Sequence, residues 1–154
     1  MSKTIAPHRL ILSSYPFQHV IETQFGDMDI AAHVNNVAIA RYYEHARARF
    51  LEAMFGRDYF QRRGPLRNAV AELNLRYLRD IHYPDPVTAG VGIGHLGNTS
   101  FIVHSALFQN GACVGVCDCV MVRVNNEGPT RIADDYRATM ATMSMRETPD
   151  PSRP

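Results

Sequence analysis

The chain has 154 residues, a hydrophobic content of 45% and a formal net charge of +1. This length predicts one domain with a substantial hydrophobic core, and the balanced charge gives no indication of a nucleic-acid partner or a membrane surface. No stretch has the length and apolar character of a signal peptide or a membrane-spanning helix. We therefore expect a cytoplasmic domain at residues 18–143, preceded by an N-terminal extension at residues 1–17 and followed by a disordered, proline-rich tail at residues 144–154.

The first half of the sequence predicts one strand and one long helix. The segment "HVIETQF", residues 19–25, is strand-like, and a polar stretch follows it from Gly26 to Asn35. From about residue 35 to residue 55, apolar residues recur every three or four positions, which predicts a helix. Asn35 or Asn36 is a suitable N-cap and Gly56 a suitable C-terminal stop. This is the longest helical pattern in the sequence, so we expect it to be the central packing element.

The second half predicts four strands, at residues 69–77, 87–96, 101–109 and 112–124, and a short final helix at residues 133–143. Asn110-Gly111 between the last two strands is a strong hairpin signal. Gly90, Gly92 and Gly94 share one face of their strand, which suggests close approach by another backbone, and we expect the long helix to lie there. The order of elements predicts an α+β fold, with one helix against a mostly antiparallel sheet.

The three cysteines alternate along one predicted strand, as Cys113, Cys117 and Cys119. Alternation predicts that they share one face, where neighbours on the same strand rarely reach disulfide geometry, so we expect free thiols in a reducing compartment. Cys117-Asp118-Cys119 supplies at most half of a zinc site, and we interpret the thiols as small core side chains rather than metal ligands. Asp118 is an acid within an apolar strand, and the sequence leaves open whether it faces a dimer interface or solvent.

The segment "FGDMDIAAHVNN", residues 25–36, places polar chemistry directly before the long helix. The first turn of a helix carries unpaired N–H groups and a partial positive charge, which can stabilise a developing oxyanion. A carboxylate just upstream can act as a general base or as a nucleophile. Asp27, Asp29 and His33 are candidates for that role, and the amides near Asn35 and Asn36 are candidates for the oxyanion hole.

The longer segment "FGDMDIAAHVNNVAIARYYEHAR" resembles the signature of the hotdog-fold thioesterases of the 4-hydroxybenzoyl-CoA thioesterase type. The family pattern is D-x-D-x-x-G-H-V-N-N-x-x-Y-x-x-Y-x-E-x-A-R. The matching positions are Asp27, Asp29, His33, Val34, Asn35, Asn36, Glu44, Ala46 and Arg47. The resemblance implies an antiparallel sheet wrapped around one long central helix. It also implies a homodimer or a dimer of dimers, with active sites between subunits.

The resemblance also implies roles for individual residues. Asp29 falls on the catalytic carboxylate of the family, and Asn36 falls on the residue whose backbone N–H stabilises the oxyanion. For His33 two interpretations stay open, which are a functional residue that orients Asp29 or touches the thioester, and a partly buried histidine with a structural role only. Asp27 we interpret as structural, bonding loop amides.

Substrate contacts are expected from four further positions, which are Asn35, Ile39, Thr99 and Ser100. Two positions depart from the family pattern. Ala32 stands where a glycine is frequent, and Ile39 stands where a tyrosine often borders the acyl pocket.

These residues favour hydrolysis of an acyl-CoA thioester to a free acid and CoA, with no metal or redox cofactor. Hydrolysis of an acyl-carrier-protein thioester stays open. One alternative is a hydratase of the same fold, whose G-D-x-N-P-x-H motif is matched only at Gly26 and Asp27, because the proline is missing and His33 is one residue too far. The other is a non-catalytic acyl-CoA-binding domain.

Overall fold

The structure is a computed structural model that describes residues 4–148. Its main elements are β1 (Phe17–Ile21), α1 (Asn36–Phe55), β2 (Arg67–Tyr77), β3 (Val87–Leu96), β4 (Ser100–Gln109), β5 (Ala112–Asn125), β6 (Gly128–Pro129) and α2 (Asp134–Ala141). The predicted helix and strands are all present, with ends that differ by a few residues. No helix among the described residues is long and apolar enough to cross a membrane.

The strands form one antiparallel sheet in the order β1-β3-β4-β5-β2, with the short β6 paired to β5. The sheet curls around α1, which is the hotdog arrangement predicted from the sequence. The hairpin between β4 and β5 turns at Asn110 and Gly111, which have φ values of 50° and 79°. Two successive positive φ values are typical of a type I′ turn, so this turn matches the twist of the flanking strands.

Helix α1 is the centre of the core because one of its faces is apolar along its whole length. Ile39, Tyr43, Ala46 and Phe50 are buried against the sheet, as their spacing predicted, and Met54 packs at the edge of the same cluster. Burial of a large apolar side chain stabilises a fold by about 1.5–3 kcal/mol. The helix begins after the N-cap Asn35 and ends before Gly56. Both boundaries therefore follow the predicted caps.

The prediction that α1 lies on the glycine face of β3 is wrong. The β3 residues that pack in the main core with α1 are Val87, Ala89, Val91 and Ile93. The glycines lie on the outer face, where a Cβ at Gly90 would stand 2.6 Å from the Tyr15 ring and one at Gly92 would stand 2.7 Å from Pro16. The glycines permit close approach, as expected, but the approaching segment is the N-terminal extension.

The outer face of the sheet carries a second small core. Tyr15 of the N-terminal extension is fully buried there with Ala106, Phe108 and Val116. The predicted tail is also partly ordered, because the Met145 N–H donates to the Ile93 carbonyl over 2.8 Å. The boundary at residue 144 was therefore too early. Residues 149–154 of the predicted tail lie outside the described residues.

The three cysteines are free thiols, but the prediction that they share one face is wrong. The register of β5 slips between Gly115 and Cys113, so Val114 forms a bulge. Because the bulge reverses the alternation, Cys113 packs with the outer core while Cys117 and Cys119 lie in the main core. Burial raises the pKa of Cys117 to about 12. This thiol is therefore protonated at neutral pH and unsuited to nucleophilic chemistry.

Asp118 lies between Cys117 and Cys119 in the sequence. Its side chain is on the outer face of the sheet, whereas the two cysteines are on the inner face. One of its oxygens accepts from Arg9 at 2.8 Å and from His104 Nδ1 at 2.7 Å. Arg9 is buried and belongs to the N-terminal extension. Asp118 therefore holds this extension against the sheet, a role that the sequence had left open.

Strand β2 forms one edge of the sheet and keeps much of its apolar surface exposed. Among its residues, Val70, Leu73 and Tyr77 are 49%, 42% and 50% exposed. Ala71 sits at a bulge between the paired residues Val70 and Glu72. A long apolar edge strand with unpaired backbone groups is a surface on which another strand can pair.

Candidate active site

The residues that join β1 to α1 form a tight hairpin with Asp29 near its tip. Met28 and Val34 form an isolated antiparallel bridge, and the Asp29 N–H donates to the His33 carbonyl over 3.1 Å. Ala32 has a φ of 62°, a left-handed conformation that favours glycine. The glycine of the family pattern at this position would adopt this turn without strain, whereas Ala32 adopts it at some cost.

The Asp29 side chain is exposed and only partly engaged. Its Oδ1 accepts from the Ala31 N–H over 2.8 Å, which fixes the side-chain direction as in an Asx turn. No other residue among 4–148 donates a hydrogen bond to this carboxylate. One oxygen is therefore oriented while the other is open to water or substrate.

The start of α1 presents unpaired backbone amides. The Asn35 side chain caps the helix by accepting from the Ala38 N–H over 2.8 Å, and the Asn35 carbonyl accepts from the Ile39 N–H. The N–H groups of Asn36 and Val37 have no acceptor within the described part of the chain. These two donors lie at the positive end of the helix, where an oxyanion is stabilised.

Asp27 links the hairpin to the helix. Its buried carboxylate accepts from the Tyr42 hydroxyl at 2.5 Å and from Arg41 at 2.8 Å. Its carbonyl accepts from both the N–H and the side-chain amide of Asn35, each over 2.8 Å. Burial and the bond to Asp27 raise the pKa of Tyr42. Asp27 is structural, as expected, but its carboxylate binds helix side chains rather than loop amides, so that part of the prediction is wrong.

His33 lies on the hairpin between Asp29 and the helix start. Its Nδ1 is 3.1 Å from the Val34 carbonyl, which can only accept, so Nδ1 carries the proton. This bond raises the pKa of His33, and the nearby carboxylates of Asp29 and Asp80 add to the effect. His33 therefore presents its Nε2 to the surroundings and is more readily protonated than an isolated histidine.

Of the remaining predicted substrate-binding residues, Ile39 lies in the first turn of α1, whereas Thr99 and Ser100 lie away from this cluster within one protomer. Ile39 lies in the main core and is 6% exposed. Thr99 and Ser100 lie at the β3–β4 turn, where the Thr99 carbonyl accepts from the Arg123 N–H over 2.8 Å. Arg123 is stacked on Tyr136 of α2, and Tyr136 in turn is stacked on Phe55 at the C-terminal end of α1. The two turn residues are therefore at the opposite end of α1 from Asp29.

Two features of this region were missed in the sequence. Tyr42 and Arg41, which hold Asp27, follow the helical pattern, but nothing in their spacing shows that they bond to a residue 14 or 15 positions earlier. The second is a cavity of about 240 Å³ beside the C-terminal end of α1. Its lining comes from five separate segments, so no local motif could reveal it.

A sheet curled around one long helix is the hotdog fold, and a carboxylate followed in the chain by unpaired helix amides is an arrangement that thioester chemistry can use. The sequence profile of the thioesterase-like superfamily matches residues 23–142. The chain therefore belongs to the thioesterase-like superfamily and is a thioesterase. No curated protein sequence matches the chain.

Solved structures agree with this fold. The chain is 25% identical to a predicted thioesterase from Bacillus stearothermophilus, with a TM-score of 0.76 over 84% of this chain and 97% of that one. It is 26% identical to the PA5185 protein from Pseudomonas aeruginosa, with a TM-score of 0.77 over 88% and 96%. A thioesterase from Thermus thermophilus, solved with coenzyme A and zinc, is 24% identical with a TM-score of 0.74 over 92% and 98%, and supports the fold. The narrower 4-hydroxybenzoyl-CoA type stays a prediction.

Proposed function

We propose that this thioesterase hydrolyses an acyl-CoA to the free acid and coenzyme A, with Asp29 as its catalytic carboxylate. The observation that carries the proposal is the pairing of two features on one short segment. Asp29 has an oriented carboxylate with an open oxygen, and a few residues later α1 begins with two unpaired amides. Hydrolysis of a thioester needs an activated oxygen and an oxyanion hole, and this segment supplies both.

The thioester carbonyl would accept hydrogen bonds from the backbone N–H of Asn36 and from its neighbour Val37. Asp29 then takes a proton from water as the water attacks the carbonyl carbon, or its carboxylate attacks that carbon directly to give an anhydride. In either route the oxyanion collapses and the carbon–sulfur bond breaks, and in the second route a water molecule then hydrolyses the anhydride and restores the Asp29 carboxylate. The thiolate leaves and takes up a proton, and the acyl group ends as the free acid.

His33 is a candidate for the proton-handling group of this reaction. The bond from its Nδ1 to the Val34 carbonyl fixes the ring, and its raised pKa increases the protonated fraction near neutral pH. A protonated Nε2 can donate to the leaving thiolate or orient Asp29. Asn35 contributes chiefly as the cap that sets the direction of the first helical turn.

We also propose that the active protein is a homodimer, or a dimer of such dimers, joined through the edge of β2. When a twofold axis relates two protomers at this edge, their β2 strands pair in antiparallel orientation. The sheet then continues from one protomer into the other. Such pairing buries the exposed Val70, Leu73 and Tyr77. It also brings the Thr99 and Ser100 end of one protomer toward the Asp29 end of its partner. The two turn residues are then placed to contact substrate, although they are remote from Asp29 in their own chain.

The test is free-thiol release from a panel of acyl-CoAs by the wild type, Asp29→Asn and Asp27→Asn. We expect Asp29→Asn to lower kcat by about 10²–10⁴, as removal of a general base does. Asp27→Asn keeps a hydrogen-bonding side chain and should lose much less activity, although its stability falls. Equal loss in both variants, with both folded, would show that Asp29 has no special role.

Two further outcomes bear on the alternatives. Consumption of an unsaturated acyl-CoA without thiol release would indicate a hydratase, and tight acyl-CoA binding without any reaction would indicate a binding domain. A single turnover in ¹⁸O-labelled water tests the nucleophilic route, in which water can attack the Asp29 carbonyl of the anhydride. Label appears in the Asp29 carboxylate only if that carboxylate attacks the thioester.

A further inference from the structure

The cavity beside the C-terminal end of α1 has an apolar floor and a basic rim. Its volume is about 240 Å³, compared with about 150 Å³ for a cavity that holds benzene. Its lining residues are Leu51, Tyr59, Phe60, Arg62, Leu66, Arg67, Asn68, Met121, Arg123 and Tyr136. This lining contains three arginines and no acidic residue.

The arginines differ in how far their charges are compensated. Arg62 is fully engaged, because it pairs with Asp58 and also donates to the Phe55 carbonyl at the end of α1. The side chain of Arg123 stacks on the Tyr136 ring, 4.4 Å from its centre, and its one hydrogen bond among residues 4–148 goes to the Asn68 side-chain oxygen, over 3.3 Å. Neither Arg67 nor Arg123 forms an ion pair within residues 4–148. The cavity is therefore lined by one exposed arginine, Arg67, and one half-buried arginine, Arg123, and neither has a carboxylate partner among the described residues.

The polar frame around Arg123 is fixed by its own hydrogen bonds. The Asn68 amide donates to the Tyr59 hydroxyl over 2.6 Å and to the Tyr136 hydroxyl over 2.7 Å. Tyr136 is stacked on Phe55 with ring centres 4.0 Å apart and planes 7° apart. These contacts hold Asn68 and Tyr136 in place, so Arg123 is oriented before any ligand arrives. A preformed cavity with a few placed polar groups is typical of a ligand site.

We infer that this cavity binds a small organic anion, a carboxylate or phosphate group carried by the substrate. A half-buried guanidinium is more stable when it pairs with an anion. The N–H donors of Arg123, together with those of Arg67, match the oxygens of a carboxylate or a phosphate. The apolar floor of Leu51 and Met121 accepts the few carbon atoms that precede the charge. The cavity is too small for a whole nucleotide, so it holds one end of the ligand.

This inference rests on the proposed function, because the cavity serves Asp29 only across the proposed dimer. Leu51 lies 15 residues beyond Asn36, which is about 22 Å along α1. Asn68, at the start of β2, lies by the cavity, whereas Tyr77, at the end of β2, pairs with Gly115 beside Tyr43 in the first half of α1. Antiparallel pairing of two β2 edges therefore places the cavity of one protomer near the Asp29 hairpin of the other.

The experiment separates binding from catalysis and separates the two sources of the anion. Titration calorimetry measures coenzyme A, 3′-dephospho-coenzyme A and pantetheine against the wild type, Arg67→Gln, Arg123→Gln and Arg123→Lys. Rates with glutaryl-CoA and butyryl-CoA are measured for the same proteins, because only the glutaryl group ends in a carboxylate. Arg131→Gln is the matched control, since Arg131 is an exposed arginine paired with Asp134 outside the cavity.

If the cavity holds a phosphate, Arg123→Gln weakens coenzyme A binding about tenfold, leaves pantetheine unchanged, and is partly rescued in Arg123→Lys. If it holds an acyl carboxylate, the same variant lowers kcat/KM for glutaryl-CoA about tenfold relative to butyryl-CoA, and coenzyme A binding stays unchanged. Either result supports the site. Unchanged binding and unchanged rate ratios in folded Arg67→Gln and Arg123→Gln would overturn it. Because coenzyme A binding needs no turnover, failure of thioester hydrolysis is a separate result.

Discussion

The Tyr42 hydroxyl donates a 2.5 Å hydrogen bond to the Asp27 carboxylate, and this contact joins the active-site hairpin to the second turn of α1. Asp27 in turn holds Asn35, whose side chain caps the helix. Asp29 and the helix amides, the proposed catalytic carboxylate and oxyanion hole, lie on the two sides of this connection in the chain. Their relative position therefore depends on a buried acid that has no direct part in the proposed reaction.

Tyr42→Phe should destabilise the protein by about 2 kcal/mol, because a hydrogen bond to a buried charge is lost while Arg41 still pairs with Asp27. Urea denaturation measures this change. We also expect kcat to fall severalfold, since the hairpin loses one of its anchors.

Tyr43→Phe is the matched control for this variant. The Tyr43 hydroxyl is buried without a hydrogen-bond partner in the described structure, so its removal should leave stability unchanged or raise it. Equal losses in both variants would show that the bond to Asp27 is not the cause.

Ala32→Gly should raise the free energy of unfolding by about 0.5 kcal/mol. The left-handed φ of 62° costs alanine about 1–2 kcal/mol, and the flexibility of glycine in the unfolded chain offsets part of the gain. Thermal unfolding compares the stability of Ala32→Gly and of the control Ala31→Gly with that of the wild type. Ala31 has no positive φ, so the same change there should destabilise, and a gain of stability at both positions would contradict the strain argument.

The ion pair at Asp118 should make the protein less stable at low pH. Burial alone would raise the pKa of Asp118. The hydrogen bond from His104 and the charge of Arg9 outweigh burial and lower this pKa to about 2. This pKa is below the pKa of an aspartate in the unfolded chain, so the ionised carboxylate stabilises the folded state. The stabilisation is fully present above about pH 4 and is lost as the pH falls toward about 2. With a third of the side chain exposed, solvent screening reduces it to about 1–2 kcal/mol.

The measurement is urea denaturation of the wild type and Asp118→Asn between pH 2 and pH 7. We expect Asp118→Asn to be less stable at pH 7 and equal to the wild type near pH 2. Asp134→Asn, at an exposed pair with Arg131, should show no such convergence. A stability difference that stays constant with pH would mean that the carboxylate charge at Asp118 does not hold the N-terminal extension.

The sequence was sufficient for the main elements and for the cap at the start of α1 because both are local, whereas the role of Asp29 stays a prediction. The apolar spacing of α1, the Asn110-Gly111 turn and the cap at Asn35 each depend on a few neighbouring residues. The errors have non-local causes. A single bulge at Val114 reversed the face of Cys113, and the glycines of β3 gave no sign of which layer approaches them.

The cavity on α1 was beyond the sequence for the same reason. Arg123, Asn68 and Tyr136 come from two strands and the final helix, and each alone is an ordinary polar or aromatic residue. Only their contacts show that Arg123 has no carboxylate partner in the described part of the chain. The position of Asp118 beside Arg9, 109 residues earlier in the chain, likewise depends on the path of the N-terminal extension.

Leu73→Arg should convert the proposed dimer to a monomer and abolish hydrolysis. Leu73 is 42% exposed on the β2 edge, so pairing of two copies would place two like charges close together in a desolvated interface. Light scattering after size exclusion measures the mass. Val20→Arg is the control, because Val20 is 57% exposed on β1 at the other edge of the sheet. A dimeric, active Leu73→Arg protein would place the interface elsewhere.

Two impaired chains should restore activity when they are combined in one dimer. One chain carries Asp29→Asn, and the other carries Arg67→Gln with Arg123→Gln. If each site takes Asp29 from one protomer and the basic cavity from its partner, a heterodimer contains one doubly damaged site and one intact site. Co-expression with two different affinity tags isolates this heterodimer, and we expect about half of the wild-type activity per dimer, measured with the acyl-CoA that the arginine variants impair most. If Asp29 and the cavity of the same chain worked together, both sites of the heterodimer would carry a defect and the activity would stay near that of the parent variants.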